Sequence, residues 1–236
     1  MLAWLERDDP FPPADKALKD PNGLLCAGAD LSPARLLAAY RQGIFPWYSG
    51  DEPILWWSPD PRMVLFCDEL KVSRSLAKSI RNKGFEIRID SAFSSVIKAC
   101  SEPRKDEAGT WLGKEMRAAY LALHQAGHAH SFETWHADRL VGGLYGVAIG
   151  RAFYGESMFS RATDASKVAL VALVEVLRER GYPMIDCQQR TPLLASLGAR
   201  EIPRRQFLRR LAALVNYPEL PEKWKRRDPA PRYVPA

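Results

Sequence analysis

Two short segments set carboxylate and amide groups among apolar neighbours: FYGESMFS at 153–160 and MIDCQQ at 184–189. Both have the composition of strands, in which side chains alternate between faces. Alternation puts Asp186 and Gln188 on one face with Met184, leaves Ile185 and Cys187 on the other, and gives Glu156 and Met158 a shared face. A carboxylate on a buried strand is costly to desolvate unless it is paired. Asp186 and Glu156 therefore point either to proton handling and cation binding or to a structural hydrogen bond with a nearby loop. One strand alone leaves both open. Gly142, Gly143, Gly146 and Gly150 interrupt a further apolar strand. Such glycines admit a ligand or another backbone, or mark bulges in a curved sheet.

The elements that must position these residues are legible in outline. Residues 1–61 are rich in Pro and Trp around one helix, from about Ser32 to Gln42, with Ser32 as cap, Pro33 in the first turn and Gly43 as terminator. A basic amphipathic helix runs over 73–83, FEIRID alternates as a strand, and two helical faces follow at Phe93, Val96, Ile97, Cys100 and at Met116, Ala119, Tyr120, Leu123. AHSFETW, RLVGGLYGVAIG and RAFYGESMF read as an antiparallel meander. The longest helix, about Ala165 to Arg180, precedes the strand PMIDCQ, a terminal helix from Pro203 and a Pro-rich basic tail over the last 20 residues. This order predicts an α+β fold: a small Trp/Pro-rich N-terminal domain (1–61) packed on a larger GNAT-like acyltransferase domain (62–236).

With 236 residues and 47% hydrophobic composition the chain can bury a sizeable core unaided. The net charge of +6 allows a phosphate-bearing partner without demanding one. Cys26, Cys67, Cys100 and Cys187 form no CxxC pair, and the N-terminus MLAWLERDDPFPP lacks a basic start and an apolar core. These features predict a reduced, soluble cytoplasmic protein without structural zinc or a membrane span.

The segments PNGLLCAGADLSP, GIFPWYSGDEPILWWSPDPR, TWLGKEM, AHSFETW, LVGGLYGV, FYGESMFSR, ASKVAL, IDCQ, SLGA and IPRRQFL resemble those of the leucyl/phenylalanyl-tRNA-protein transferase family, in order from about residue 21 to 208. The resemblance implies a monomeric cytoplasmic enzyme with leucyl- or phenylalanyl-tRNA as donor, methionine being a third candidate residue. The acceptor would be a protein beginning with Arg or Lys, marked for degradation by the added residue. Departures are GAD at 28–30 in place of GGD, and Leu193 where the family often has His.

In that reaction an α-amine attacks an ester that is already activated, so no ATP, metal, cofactor or enzyme nucleophile is required. An α-amine titrates near about 8, and nearby acceptors can hold its proton as the bond forms. The resemblance assigns this to a relay in which Asp186 orients the Gln188 amide, with Glu156 at the centre fixing a cationic group. Cys187 invites a thioester route, but alternation turns it away and no His lies locally to activate it. The resemblance further implies a donor side-chain pocket from Leu144, Met158, Leu170, Leu173, Leu177 and Ile185, which otherwise read as ordinary core. Leu144, Leu173 and Leu177 stand where bulkier residues are expected in some relatives, so the preference between leucine and phenylalanine stays open. Trp47 and Trp111, helped by Tyr40, would bind the tRNA 3′-adenosine by stacking. Arg74, Lys78, Arg81 and Lys83 form either a solvated helix face or a contact to tRNA phosphates, the latter favoured by the resemblance.

Two rival readings compete. A coenzyme A-dependent N-acetyltransferase suits the element order, but needs a Gly-rich turn before the long helix, where this chain has SRATDASK. A non-catalytic tRNA-binding protein gives no reason for Asp186, Gln188 and Glu156 in apolar strands.

Overall fold

The computed structural model describes residues 2–50, 52–103, 111–218 and 224. Two sheets organise them. The first contains β1 (Ala3–Leu5), β2 (Leu24–Gly28), β3 (Phe45–Pro46) and β4 (Leu55–Trp57) in the order β1-β2-β4-β3. Between β2 and β3 lies α1 (Pro33–Arg41), capped by the Ser32 hydroxyl, which accepts from the Arg35 amide at 3.3 Å.

The second sheet orders β5 (Arg62–Phe66), β6 (Glu86–Ile89), β7 (Ala129–His136), β8 (Arg139–Ile149), β9 (Ala152–Ser160), β10 (Met184–Gln188) and β11 (Arg200–Ile202) as β11-β5-β10-β9-β8-β7-β6. The expected meander is β7-β8-β9, and β10 joins β9 in parallel. A parallel neighbour requires a crossover, supplied by α5 (Ala165–Glu179). The other α-helices among the described residues are α2 (Arg74–Asn82), α3 (Phe93–Cys100), α4 (Lys114–Gln125), α6 (Pro192–Ser196) and α7 (Arg204–Leu214).

Strand alternation splits the core in two. Tyr145, Val147, Tyr154 and Met184 face a cluster shared with α1, α3, α4 and the first sheet, while Leu144, Phe153 and Ile185 face one shared with α5. The N-terminal layer and the large sheet therefore share one apolar interior. The interrupting glycines serve close packing within the protein. A Cβ on Gly142 would lie 2.5 Å from that of Ala165 at the start of α5, and one on Gly146 would collide with the Tyr154 carbonyl oxygen.

The extended tail expected from residue 217 lies outside the described residues except for Tyr217, Pro218 and Trp224. Trp224 corrects that expectation: it is 3% exposed within the α5-side core. No helix among the described residues is long and apolar enough to cross a membrane.

Candidate active site

Two β-bulges on neighbouring parallel strands build the site. On β9, Ser157 pairs with Tyr145 and Gly155 with Gly146, leaving Glu156 as the extra residue. On β10, Asp186 pairs with Val64 and Gln188 with Met63, leaving Cys187 extra. A bulge re-aims the side chains around it. Glu156 and Met158 consequently do not share a face, contrary to simple alternation: Met158 pairs with Leu144 and packs on the α5 side, whereas Glu156 turns toward α1 and α4. Gln188 adopts a φ of 62°, a left-handed conformation that costs a non-glycine residue about 1–3 kcal/mol.

Glu156 is the hub. The Tyr40 hydroxyl donates to its Oε1 at 2.8 Å, the Tyr120 hydroxyl to its Oε2 at 2.6 Å, and the Gln188 Nε2 to Oε1 at 3.0 Å. The two tyrosine oxygens lie 2.8 Å apart. Two hydroxyl protons cannot fill three oxygen–oxygen contacts, so the triangle closes when the carboxyl supplies a third. Burial acts in the same direction, pushing Glu156 up to about 7 against the lowering effect of its tyrosine donors. The same burial raises both tyrosines well above their ordinary range, keeping them protonated donors. With its NH₂ turned to Glu156, Gln188 has its side-chain oxygen left to accept.

Asp186 is 2% exposed and held by Arg62, whose Nε and Nη2 donate to Oδ1 and Oδ2 at 2.8 and 2.7 Å. The guanidinium lies 4.8 Å from the Phe45 ring centroid and 4.7 Å from that of Phe207. Oδ1 also accepts the Gln188 backbone N–H at 3.0 Å. This corrects the expected relay: Asp186 holds the backbone of Gln188, and Glu156, not Asp186, orients the side-chain amide. Cys187 lies at the bulge with its thiol pKa pushed far up by burial and by the Asp186 charge.

Residues 64–212 match the sequence profile described as leucyl/phenylalanyl-tRNA protein transferase, and residues 29–60 match that of its N-terminal domain. A leucyl/phenylalanyl-tRNA–protein transferase of Nitrosomonas europaea is 62% identical over 95% of this chain and 95% of its own. The chain belongs to this family. One from Thiobacillus denitrificans is 64% identical, with 91% of this chain and 94% of that one covered. Among solved structures, FemX matches 72% of this chain and 66% of its own at 11% identity and a TM-score of 0.48.

The remaining positions carried over from the transferase family fall as follows. Tyr40 presents no ring face for stacking: it is fully buried, tilted against Tyr154 at 4.8 Å, with its hydroxyl committed to Glu156. Trp47 is 39% exposed, with its ring edge-on to Trp57 at 5.5 Å, and Trp111 is half-buried. Leu144, Leu170, Leu173, Leu177 and Ile185 gather in one buried cluster with Met158, which is only half-buried. Arg74, Lys78 and Arg81 are exposed on α2, whereas the Lys83 ammonium donates to the Thr163 carbonyl at 2.9 Å.

Sequence reasoning missed Arg62 and Tyr120 as site residues. Arg62 had a signal: a cation opening the apolar strand RMVLF needs a buried anion, and Asp186 was an anion needing a cation. Tyr120 had none, because a tyrosine on the apolar face of a helix looks like core.

Proposed function

We propose that this chain transfers leucine or phenylalanine from charged tRNA to the α-amine of proteins beginning with Arg or Lys, and that Glu156, Gln188 and Asp186 carry the site. The observation that supports this most directly is the amide of Gln188, pinned through its NH₂ by Glu156 so that its oxygen is free to accept from an incoming amine. The amine attacks the ester carbonyl, a C–N bond forms, and the bond to the ribose oxygen breaks. The proton lost by nitrogen ends on that oxygen. Gln188 orients the amine, the ionised form of Glu156 attracts its positive charge, and Asp186 with Arg62 holds Gln188 in its left-handed conformation.

On this reading the six apolar residues around Met158 receive the donor side chain, Trp47 and Trp111 stack on the terminal adenosine, and Arg74, Lys78 and Arg81 meet tRNA phosphates. The unit from residue 1 to 61 supplies Tyr40 to the site on residues 62–236, and the enzyme works as a cytoplasmic monomer. The acetyltransferase alternative is weakened by Asp164, which opens α5 with a carboxylate held low by Ser79 and Lys167, where a pyrophosphate would need to bind.

The test incubates the protein with radiolabelled leucyl-tRNA, phenylalanyl-tRNA or acetyl coenzyme A and a peptide beginning with Arg. Label from both charged tRNAs and none from acetyl coenzyme A is expected. Label from acetyl coenzyme A alone would overturn the reading.

A further inference from the structure

Trp224 has no place in the site described so far, yet its indole is seated from several directions. It lies flat on the His130 ring, with centroids 4.0 Å apart and planes 11° from parallel. It meets Phe132 at 6.3 Å, Phe153 at 5.9 Å and Tyr182 at 5.8 Å, and the Arg180 guanidinium covers it at 4.7 Å. Its backbone N–H donates to Asp90 Oδ2 at 2.9 Å, the same oxygen that meets His130 Nδ1 at 2.8 Å. Side chains from β7, β9 and the turn after α5 thus hold one ring, while its backbone is tied to the end of β6.

The register of the sheet shows what lies next to that ring. Phe132 pairs directly with Leu144, Leu144 with Met158, and Phe153 with Ile185. The two phenylalanines against Trp224 are therefore cross-strand neighbours of Leu144 and Ile185, and Met158 is the next partner beyond Leu144; all three are proposed to line the donor pocket and belong to the α5-side cluster. Directly opposed antiparallel residues such as Phe132 and Leu144 stand about 4.5–5.5 Å apart at Cβ and interact as a pair, so one loses support when the other shifts. A close-packed interior transmits such a loss as a shift of the wall.

We infer that Trp224 is a positioning residue for donor specificity: it backs Phe132 and Phe153 so that Leu144, Met158 and Ile185 hold the donor pocket to its size. The inference rests on the proposed aminoacyl transfer. Truncating the indole lets the two phenylalanines relax away from the pocket, widening it and favouring the larger donor side chain.

The experiment compares kcat/KM for leucyl-tRNA and phenylalanyl-tRNA, with an Arg-starting peptide as acceptor, in the wild type, Trp224→Ala and Trp224→Phe. Trp224→Ala is expected to raise the phenylalanine-to-leucine ratio about threefold or more, leaving the KM for the peptide unchanged. Trp224→Phe, which keeps an aromatic ring, is expected to restore most of the wild-type ratio. Should Trp224→Ala not fold, Trp224→Leu replaces it, with a smaller shift in the same direction expected. Equal loss of both reactions with an unmoved ratio would make Trp224 a stability residue only and overturn the inference alone. A wild type that transfers neither residue overturns the functional reading and the inference with it.

Discussion

Glu156 sets the pH response of the site. Its acid form closes the triangle with Tyr40 and Tyr120, and its ionised form attracts a cation. Peptide kcat/KM should therefore rise across two ionisations, one at about 7 for Glu156 and one near about 8 for the α-amine. Glu156→Gln should abolish the lower limb. Tyr120→Phe deletes a hydrogen bond that lowers the Glu156 pKa, so it should move that limb to higher pH; a profile superimposable on wild type would mean that Tyr120 does not tune Glu156. Stability follows the same sign. Because the folded-state pKa lies above the ordinary carboxylate value, the contribution of neutral Glu156 is full below about 4.5 and is lost as pH rises through about 7. Urea melts at pH 5 and pH 8 should accordingly show a larger loss for wild type than for Glu156→Gln. Cys187 has no such role: Cys187→Ala should keep at least about half of the wild-type kcat/KM, since a buried thiol acts as a small hydrophobe.

At the scale of elements, sequence periodicity located α1–α5 and the start of α7 to within about two residues, and the strands β6–β10 in order, but not α6, β5, β11 or the two bulges. Alternation is a property of regular strands, and β9 and β10 depart from it at Glu156 and Cys187. The departure is legible only in the pairing with β8 and β5, which no local pattern encodes. The basic face of α2 was legible, because Arg74, Lys78 and Arg81 recur at helical spacing and a cap and terminator frame them. Reversing all three to Glu should raise the KM for charged tRNA about tenfold at low salt and flatten its salt dependence. An unchanged salt slope, measured with leucyl-tRNA at several ionic strengths, would leave α2 a solvated face.

Across the whole molecule, the Arg62–Asp186 pair sits where the large sheet, the N-terminal layer and α7 converge, sandwiched by Phe45 and Phe207. Breaking a buried pair strands the remaining charge, so Arg62→Ala should cost about 3–5 kcal/mol in chemical denaturation. Arg62→Ala should also lower activity, because Gln188 loses the carboxylate that fixes its backbone. Stability within about 1 kcal/mol of wild type would mean that the pair is solvated. The sequence by itself determined the α+β class, the main helices and the family, and it singled out three residues of the candidate site, because local periodicity and long ordered strings carry that information. Tertiary structure alone decided the rest. It assigned Asp186 to Arg62, gave the Gln188 amide to Glu156, moved Tyr40 from a stacking surface into the interior, and buried Trp224 from what read as an extended tail. Each of these joins residues far apart in the chain, and a buried polar group reveals its partner only when the packing that desolvates it is complete.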